Sequence, residues 1–144
     1  MIGMSGGIDI GYLQSVAGKL RRNIVKMVSI AGSGHIGGSF SAIDIITYLY
    51  FHRMRIDPNV PGWDERDRFV LSKGHCSPAW YAALAERGFF PEEVLWTLRE
   101  IESKLQGHPD MKKTPGVDMT TGSLGQGMSC AAGMAMGAKL DGKD

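Results

Sequence analysis

The sequence predicts an α/β domain that is rich in helix and carries only part of its sheet. Three observations lead there. Long segments repeat apolar residues at three- and four-residue spacing, as amphipathic helices do. Only one short run, "RFVLS", has the apolar, β-branched character of a buried strand. The 20 glycines cluster at the junctions between these segments, where loops that build sites belong. A lone strand cannot make a sheet, so the remaining strands are expected beyond Asp144 or in another chain.

The elements follow in order. From Ile10 to Ile30, apolar residues recur at Leu13, Val16, Ala17, Leu20, Ile24, Met27 and Val28, and Gly32 and Gly34 end that helix. Ser41 is expected to cap a second helix, "AIDIITYLYFHRM", with Asp44 in its first turn where the helix dipole favours an anion. The stretch "DPNVPGWDERDR" is a turn-rich connector, and "RFVLS" is the strand. A helix over "PAWYAALAERG" stops at Gly88. Another over "PEEVLWTLREIES" has Pro91 and two glutamates at its start. A polar loop runs from Lys104 to Gly122, and "LGQGMSCAAGMAMGAKL" closes the chain as a helix of small residues.

Composition narrows the function classes. The 144 residues suit one domain, 1–144, with a real core. A formal net charge of +1 gives no electrostatic reason to bind nucleic acid or an anionic membrane. Cys76 and Cys130 are too few for a disulfide framework. The first residues lack the charged start and apolar run of a signal peptide, and no apolar run would span a bilayer. The expectation is a reduced, soluble, cytoplasmic protein.

Three of the four histidines directly follow a glycine, in "SGHIGG", "SKGHCS" and "LQGHPD". Each pair falls at the end of an element. Glycine there lets backbone approach a ligand, and imidazole offers a donor or acceptor near neutral pH. Any one pair fits a helix C-cap followed by a surface histidine; the three together favour a shared site of His35, His75 and His108. His52, inside "YLYFHRM", is read as a packing or surface residue. A zinc site is poorly matched, because the three histidines are spaced far apart with no accompanying ligand pattern.

The stretch "TTGSLGQGMSCAAGMAMG" leads a glycine loop into a helix, where free N–H groups favour phosphate or another anion. It has neither the GK[ST] of a Walker loop nor GxGxxG spacing. Gly125, Ser129, Gly133 and Gly137 recur every four residues and draw a smooth stripe on one helix face. Tight packing within the chain and an interface between subunits both fit that stripe.

Together, "SGHIGGSFSAIDI", "WDERDRFVLSKGHCSPAWYAAL", "QGHPD" and "TTGSLGQGMSCAAGMA" resemble the N-terminal part of transketolase, in matching order and over nearly the whole chain. The split form, in which one gene encodes the N-terminal half, is the nearest likeness. Deoxyxylulose phosphate synthases share the first Gly-His but fit the later motifs less well.

The resemblance implies a thiamine diphosphate-binding domain with a parallel sheet incomplete in this chain, and a two-carbon transfer from a ketose to an aldose among sugar phosphates. It implies that His75, Gly122, Ser123 and Leu124 contact the cofactor. His35 and His108 would face the substrate, as the catalytic residues. It also implies a homo-oligomer and a partner C-terminal half or subunit. Two departures stand out. Ile36 replaces a proline found in many transketolases, and the chain stops at "KLDGKD", before the GDG and asparagine that hold magnesium. The glutamate that activates the cofactor belongs to the partner domain, so this chain alone is expected to be inactive. A non-catalytic assembly module derived from such an enzyme is the competing reading.

Overall fold

A computed structural model describes residues 7–143. Helix α1 spans Ile10–Ala31. Asp9 caps it, its carboxylate accepting the Tyr12 N–H at 2.8 Å. Gly32, at φ 62°, ends it in the left-handed conformation that glycine adopts without steric cost. Of the stripe expected from periodicity, Val16, Ala17, Leu20, Ile24, Met27 and Val28 are buried and Leu13 is half-buried.

Helix α2 spans Ile36–Tyr48 and runs into one π-turn, Leu49–Arg53. It starts earlier than its sequence suggests. Ser41 is not its cap but lies within it, its hydroxyl donating to the Gly38 carbonyl at 2.8 Å. His35 occupies the cap position instead. Helix α3 spans Ser77–Arg87, entered through the 3-10 turn Gly74–Cys76 and closed by Gly88 at φ 93°. Every residue from Ser77 to Leu84 is buried, so α3 is the central element, with α1 and α2 packed on it and on each other. Leu20, Ile24, Met27, Ile43, Ile46, Trp80 and Leu84 fill the core between them. The Trp80 indole donates to the Tyr50 hydroxyl at 2.5 Å, satisfying both polar tips inside it.

Two expected elements take other forms. Among the described residues there is no strand. Residues 69–71 take no regular secondary structure and have no neighbouring strand to pair with. Side chains satisfy their backbone instead: the Asp118 carboxylate accepts the Phe69 N–H at 2.8 Å, and the Thr121 hydroxyl donates to the Leu71 carbonyl at 2.7 Å. Asp118 is held in turn by a buried ion pair with Arg66 at 2.5 Å.

The helix expected over residues 91–103 shrinks to one 3-10 segment, Glu92–Thr97. Beyond it, Ser103 shares a hydrogen bond with Thr97 at 2.7 Å and accepts the Leu105 N–H at 3.0 Å. The Arg99 N–H donates to the Leu105 carbonyl at 2.8 Å. The Arg99 N–H is thereby diverted from the bond to the Leu95 carbonyl that a continued helix would make.

Helix α4 spans Gln126–Leu140 and buries only Gly127, whose Cα side lies against Ser72: a Cβ there would stand 2.6 Å from the Ser72 Cα. The stripe of Gly125, Ser129, Gly133 and Gly137 does not make the intramolecular packing contact. A Cβ at Gly125, Gly133 or Gly137 would meet nothing within 4 Å among the described residues. Gly127, two residues on from Gly125, faces the other way around the helix. Among the described residues no helix is long and apolar enough to cross a membrane.

Candidate functional site

The site is assembled where α2 and α3 begin. Between α1 and α2 the chain turns through Gly34, at φ 153° and packed on Val28: a Cβ would come within 2.7 Å of Val28 Cγ2. Only glycine fits both the dihedral and the space. That turn delivers His35 to the start of α2, where its carbonyl accepts from the Ser39 hydroxyl at 2.7 Å and the Ser39 N–H at 3.2 Å. Ser39 is fully buried, so the backbone of His35 is anchored while its side chain stays exposed.

His75 sits on the 3-10 turn that leads into α3, and its ring meets that of His35 edge-to-face with centroids 5.0 Å apart. Gly38, one turn into α2, leaves room for this approach: a Cβ there would come 2.5 Å from Cys76 Sγ and 3.5 Å from His75 Nε2. Lys73 fixes the same junction from the other side. Its ammonium donates to the Gly38 carbonyl at 3.1 Å and to the Ser41 hydroxyl at 2.7 Å.

His108 arrives from the irregular loop after Leu105, and α3 holds it there. The Ser77 hydroxyl donates to the Gly107 carbonyl at 3.0 Å. The Tyr81 hydroxyl lies 2.8 Å from the Gln106 carbonyl and 3.1 Å from that of His108, sharing its hydrogen between them. Burial holds the Tyr81 phenol well above its ordinary range, so it stays a donor. The glycine loop closes the group. A Cβ on Gly122 would be 3.6 Å from the His108 ring. Gly74 packs directly on Thr121, tying the second Gly-His pair to this loop.

Basic side chains crowd one another here. Desolvation first, then the proximity of His35, Lys73 and His108, hold the His75 imidazole below its ordinary 6.5. His75 is thereby biased toward the neutral form, able to donate from one nitrogen and accept at the other. Burial pushes the Cys76 thiol up, against a smaller opposing effect of Lys73. Cys76 is therefore a packing residue at the base of the site. Among the described residues no group of three or more His, Cys, Asp or Glu side chains is arranged to hold a metal ion.

The structure thus brings His35, His75, His108 and Gly122 into one place. Ser123 and Leu124 follow on the exposed approach to α4, Leu124 being 70% exposed. Among the described residues the N–H groups of Gly122, Ser123 and Leu124 donate to no protein acceptor, which leaves them free for an anion. His52 stands apart, its ring tilted at 45° to that of Tyr48 with centroids 5.2 Å apart. Sequence reading missed Ser77, Tyr81, Thr121 and Lys73. Lys73 had a signal in its adjacency to a Gly-His pair; the others act through contacts 25 to 50 residues away that leave no local pattern.

Residues 13–142 match the family described as "Transketolase, thiamine diphosphate binding domain". The chain is 52% identical over 129 residues to the 6-deoxy-6-sulfo-D-fructose transketolase subunit of Clostridium sp. (strain MSTE9), covering 90% of this chain and 47% of that protein. It is 46% identical over 137 residues to an apulose-4-phosphate transketolase subunit of Phocaeicola vulgatus, covering 95% and 48%. The solved transketolase of Campylobacter jejuni superposes with a TM-score of 0.84 at 38% identity, over 92% of this chain and 21% of that one. The chain therefore spans about half the length of the two subunits it matches. A helical scaffold that gathers three Gly-His segments beside a glycine loop, and a family match across nine-tenths of its length, lead to one conclusion: the chain belongs to the transketolase thiamine diphosphate-binding domain family.

Proposed function

We propose that residues 1–144 are the N-terminal portion of the diphosphate-binding domain of a transketolase, active when joined by a C-terminal half or subunit. The observation that carries this reading is the approach of the His35 and His75 rings, 5.0 Å apart, beside the loop that starts at Gly122. The residues fit thiamine diphosphate. Free N–H donors from Gly122 to Leu124 suit a diphosphate or the polar edge of the cofactor, and a largely neutral His75 suits a hydrogen bond to it.

When bound, the cofactor supplies the electron sink for breaking and making a carbon–carbon bond next to a carbonyl. The chain's own residues do the rest. His75 and the 122–124 loop hold and orient the cofactor. His35 and His108 donate hydrogen bonds to sugar hydroxyls and move protons to and from the oxygen atoms that gain and lose charge. The reaction is transfer of a two-carbon ketol unit from a ketose to an aldose, with sugar phosphates as the substrate class. Magnesium would be held by ligands outside these residues, and the assembly would be a homo-oligomer of paired halves in the cytoplasm.

The test is titration of the chain, with and without its C-terminal half, with thiamine diphosphate and magnesium, followed by assay with a ketose and an aldose. Activity is expected only in the pair. His75→Ala should weaken cofactor binding. His35→Ala and His108→Ala should mainly lower kcat, about tenfold or more for loss of a hydrogen bond to a reacting group. Equal, negligible effects at all three would overturn the assignment.

One observation favours the second reading, a non-catalytic assembly module: α4 leaves Met128, Met136 and Leu140 exposed, which is interface chemistry rather than site chemistry. A paired complex that assembles but never binds cofactor would establish that reading instead.

A further inference from the structure

The loop after the segment Glu92–Thr97 contains a strained residue that the site described above does not use. Arg99 has φ 64° and Glu102 φ 67°, the two non-glycine residues in the left-handed region among those described. In this turn the Arg99 N–H pairs with the Leu105 carbonyl, and the left-handed conformation costs an arginine on the order of 1 kcal/mol. Its side chain shows what the backbone turn achieves. Arg99 Nη1 donates to the Ser33 hydroxyl at 3.1 Å, across 66 residues of sequence. Its guanidinium also lies against Gly107, where a Cβ would stand 3.1 Å from both Nε and Nη2. The Ser33 hydroxyl also lies 3.5 Å from the Ala31 carbonyl. Ser33 is two residues before His35, and Gly107 is one residue before His108.

We propose that Arg99 is a positioning residue, holding the loop that carries His35 and the loop that carries His108 at a fixed separation; this rests on the transketolase reading above. Arg99 is exposed, so its hydrogen bond to Ser33 is accessible to water and contributes little to folding. That side-chain bond therefore does little to repay the strain. It is explained by geometry: from this turn the side chain runs back across Gly107 to Ser33. Two rings that must act on one substrate lose rate steeply when their spacing drifts, about a hundredfold for an ångström.

The experiment uses the complex of this chain with its C-terminal half. Arg99→Gly removes the guanidinium and relieves the dihedral, so its melting temperature should hold or rise while kcat falls about tenfold or more. The thiamine diphosphate Kd should stay within about twofold, because neither His75 nor the Gly122 loop is touched; RT ln 2 is only about 0.4 kcal/mol. Arg99→Lys should recover part of the loss. Ser33→Ala should lower kcat, and adding it to Arg99→Gly should cost nothing more, since one link is already gone. A fully active Arg99→Gly, additive losses, or a fall in melting temperature that tracks the fall in kcat would overturn the proposal. If the wild-type complex neither binds thiamine diphosphate nor transfers a two-carbon unit, the transketolase reading fails by itself. The positioning role is then read from the imidazole NMR signals of Arg99→Gly. Shifted His35 and His108 signals with His52 unmoved sustain it, and an unchanged spectrum overturns it.

Discussion

Gly74 lies so close to Thr121 that a Cβ at position 74 would stand 2.7 Å from the Thr121 carbonyl carbon, its oxygen and its hydroxyl alike. This contact joins the turn that carries His75 to the loop that begins at Gly122. Backbone cannot swing aside as a side chain can. Gly74→Ala is therefore expected to destabilise the fold by about 2 kcal/mol, as overpacking of a closed contact does. Gly133→Ala, in open space on α4, should instead stabilise by about 0.5–1 kcal/mol through helix propensity. Urea denaturation of both variants checks the contrast; equal midpoints would mean that the Gly74 contact is slack.

The second prediction concerns pH. The folded chain holds His75 below the 6.5 of the unfolded state, so between those values the unfolded chain binds more protons. The contribution is therefore fully present above pH 6.5 and declines as pH falls through 6.5 toward the folded value. Melting temperature followed from pH 7.5 down to 5.5, a window about one pH unit either side of the histidine reference value, should fall less steeply in His75→Gln than in the native chain. Parallel curves would show that the crowding of His35, Lys73 and His108 around His75 is without consequence.

A third prediction follows from the way α3 grips the loop before His108. Tyr81→Phe leaves the ring in place and removes the hydroxyl shared by the Gln106 and His108 carbonyls. A loss of about 1–2 kcal/mol is expected, with greater hydrogen exchange over residues 106–108. Unaltered stability and exchange would mean that Ser77 alone holds the loop.

The cysteines should behave oppositely toward a thiol reagent. Cys76 is buried and its thiol is pushed up by burial, whereas Cys130 is exposed on α4. In native buffer one thiol should react rapidly, identified as Cys130 by peptide mapping, and Cys76 only after denaturation. Rapid labelling of Cys76 would show that the base of the site opens readily.

The four Gly-His and glycine-loop segments, the α1 stripe and the left-handed stops at Gly32 and Gly88 could all be read from the sequence. Each is a local property: side-chain period, absence of a Cβ, or the identity of adjacent residues. Ser41 as a cap, "RFVLS" as a strand and the long helix after Pro91 were legible too, yet took other forms. A strand exists only through a paired neighbour, and Phe69 and Leu71 find Asp118 and Thr121 instead. The helix after Pro91 competes with the Leu105 carbonyl for the Arg99 N–H and loses. The sequence by itself marked the candidate site residues, because imidazoles and bare glycines announce themselves by type. Only the tertiary structure decided that His35, His75 and His108 share one site. Their convergence depends on packing between α1, α2 and α3 and on contacts such as Arg99 to Ser33, whose partners lie far apart along the chain and leave no mark on each other's neighbours.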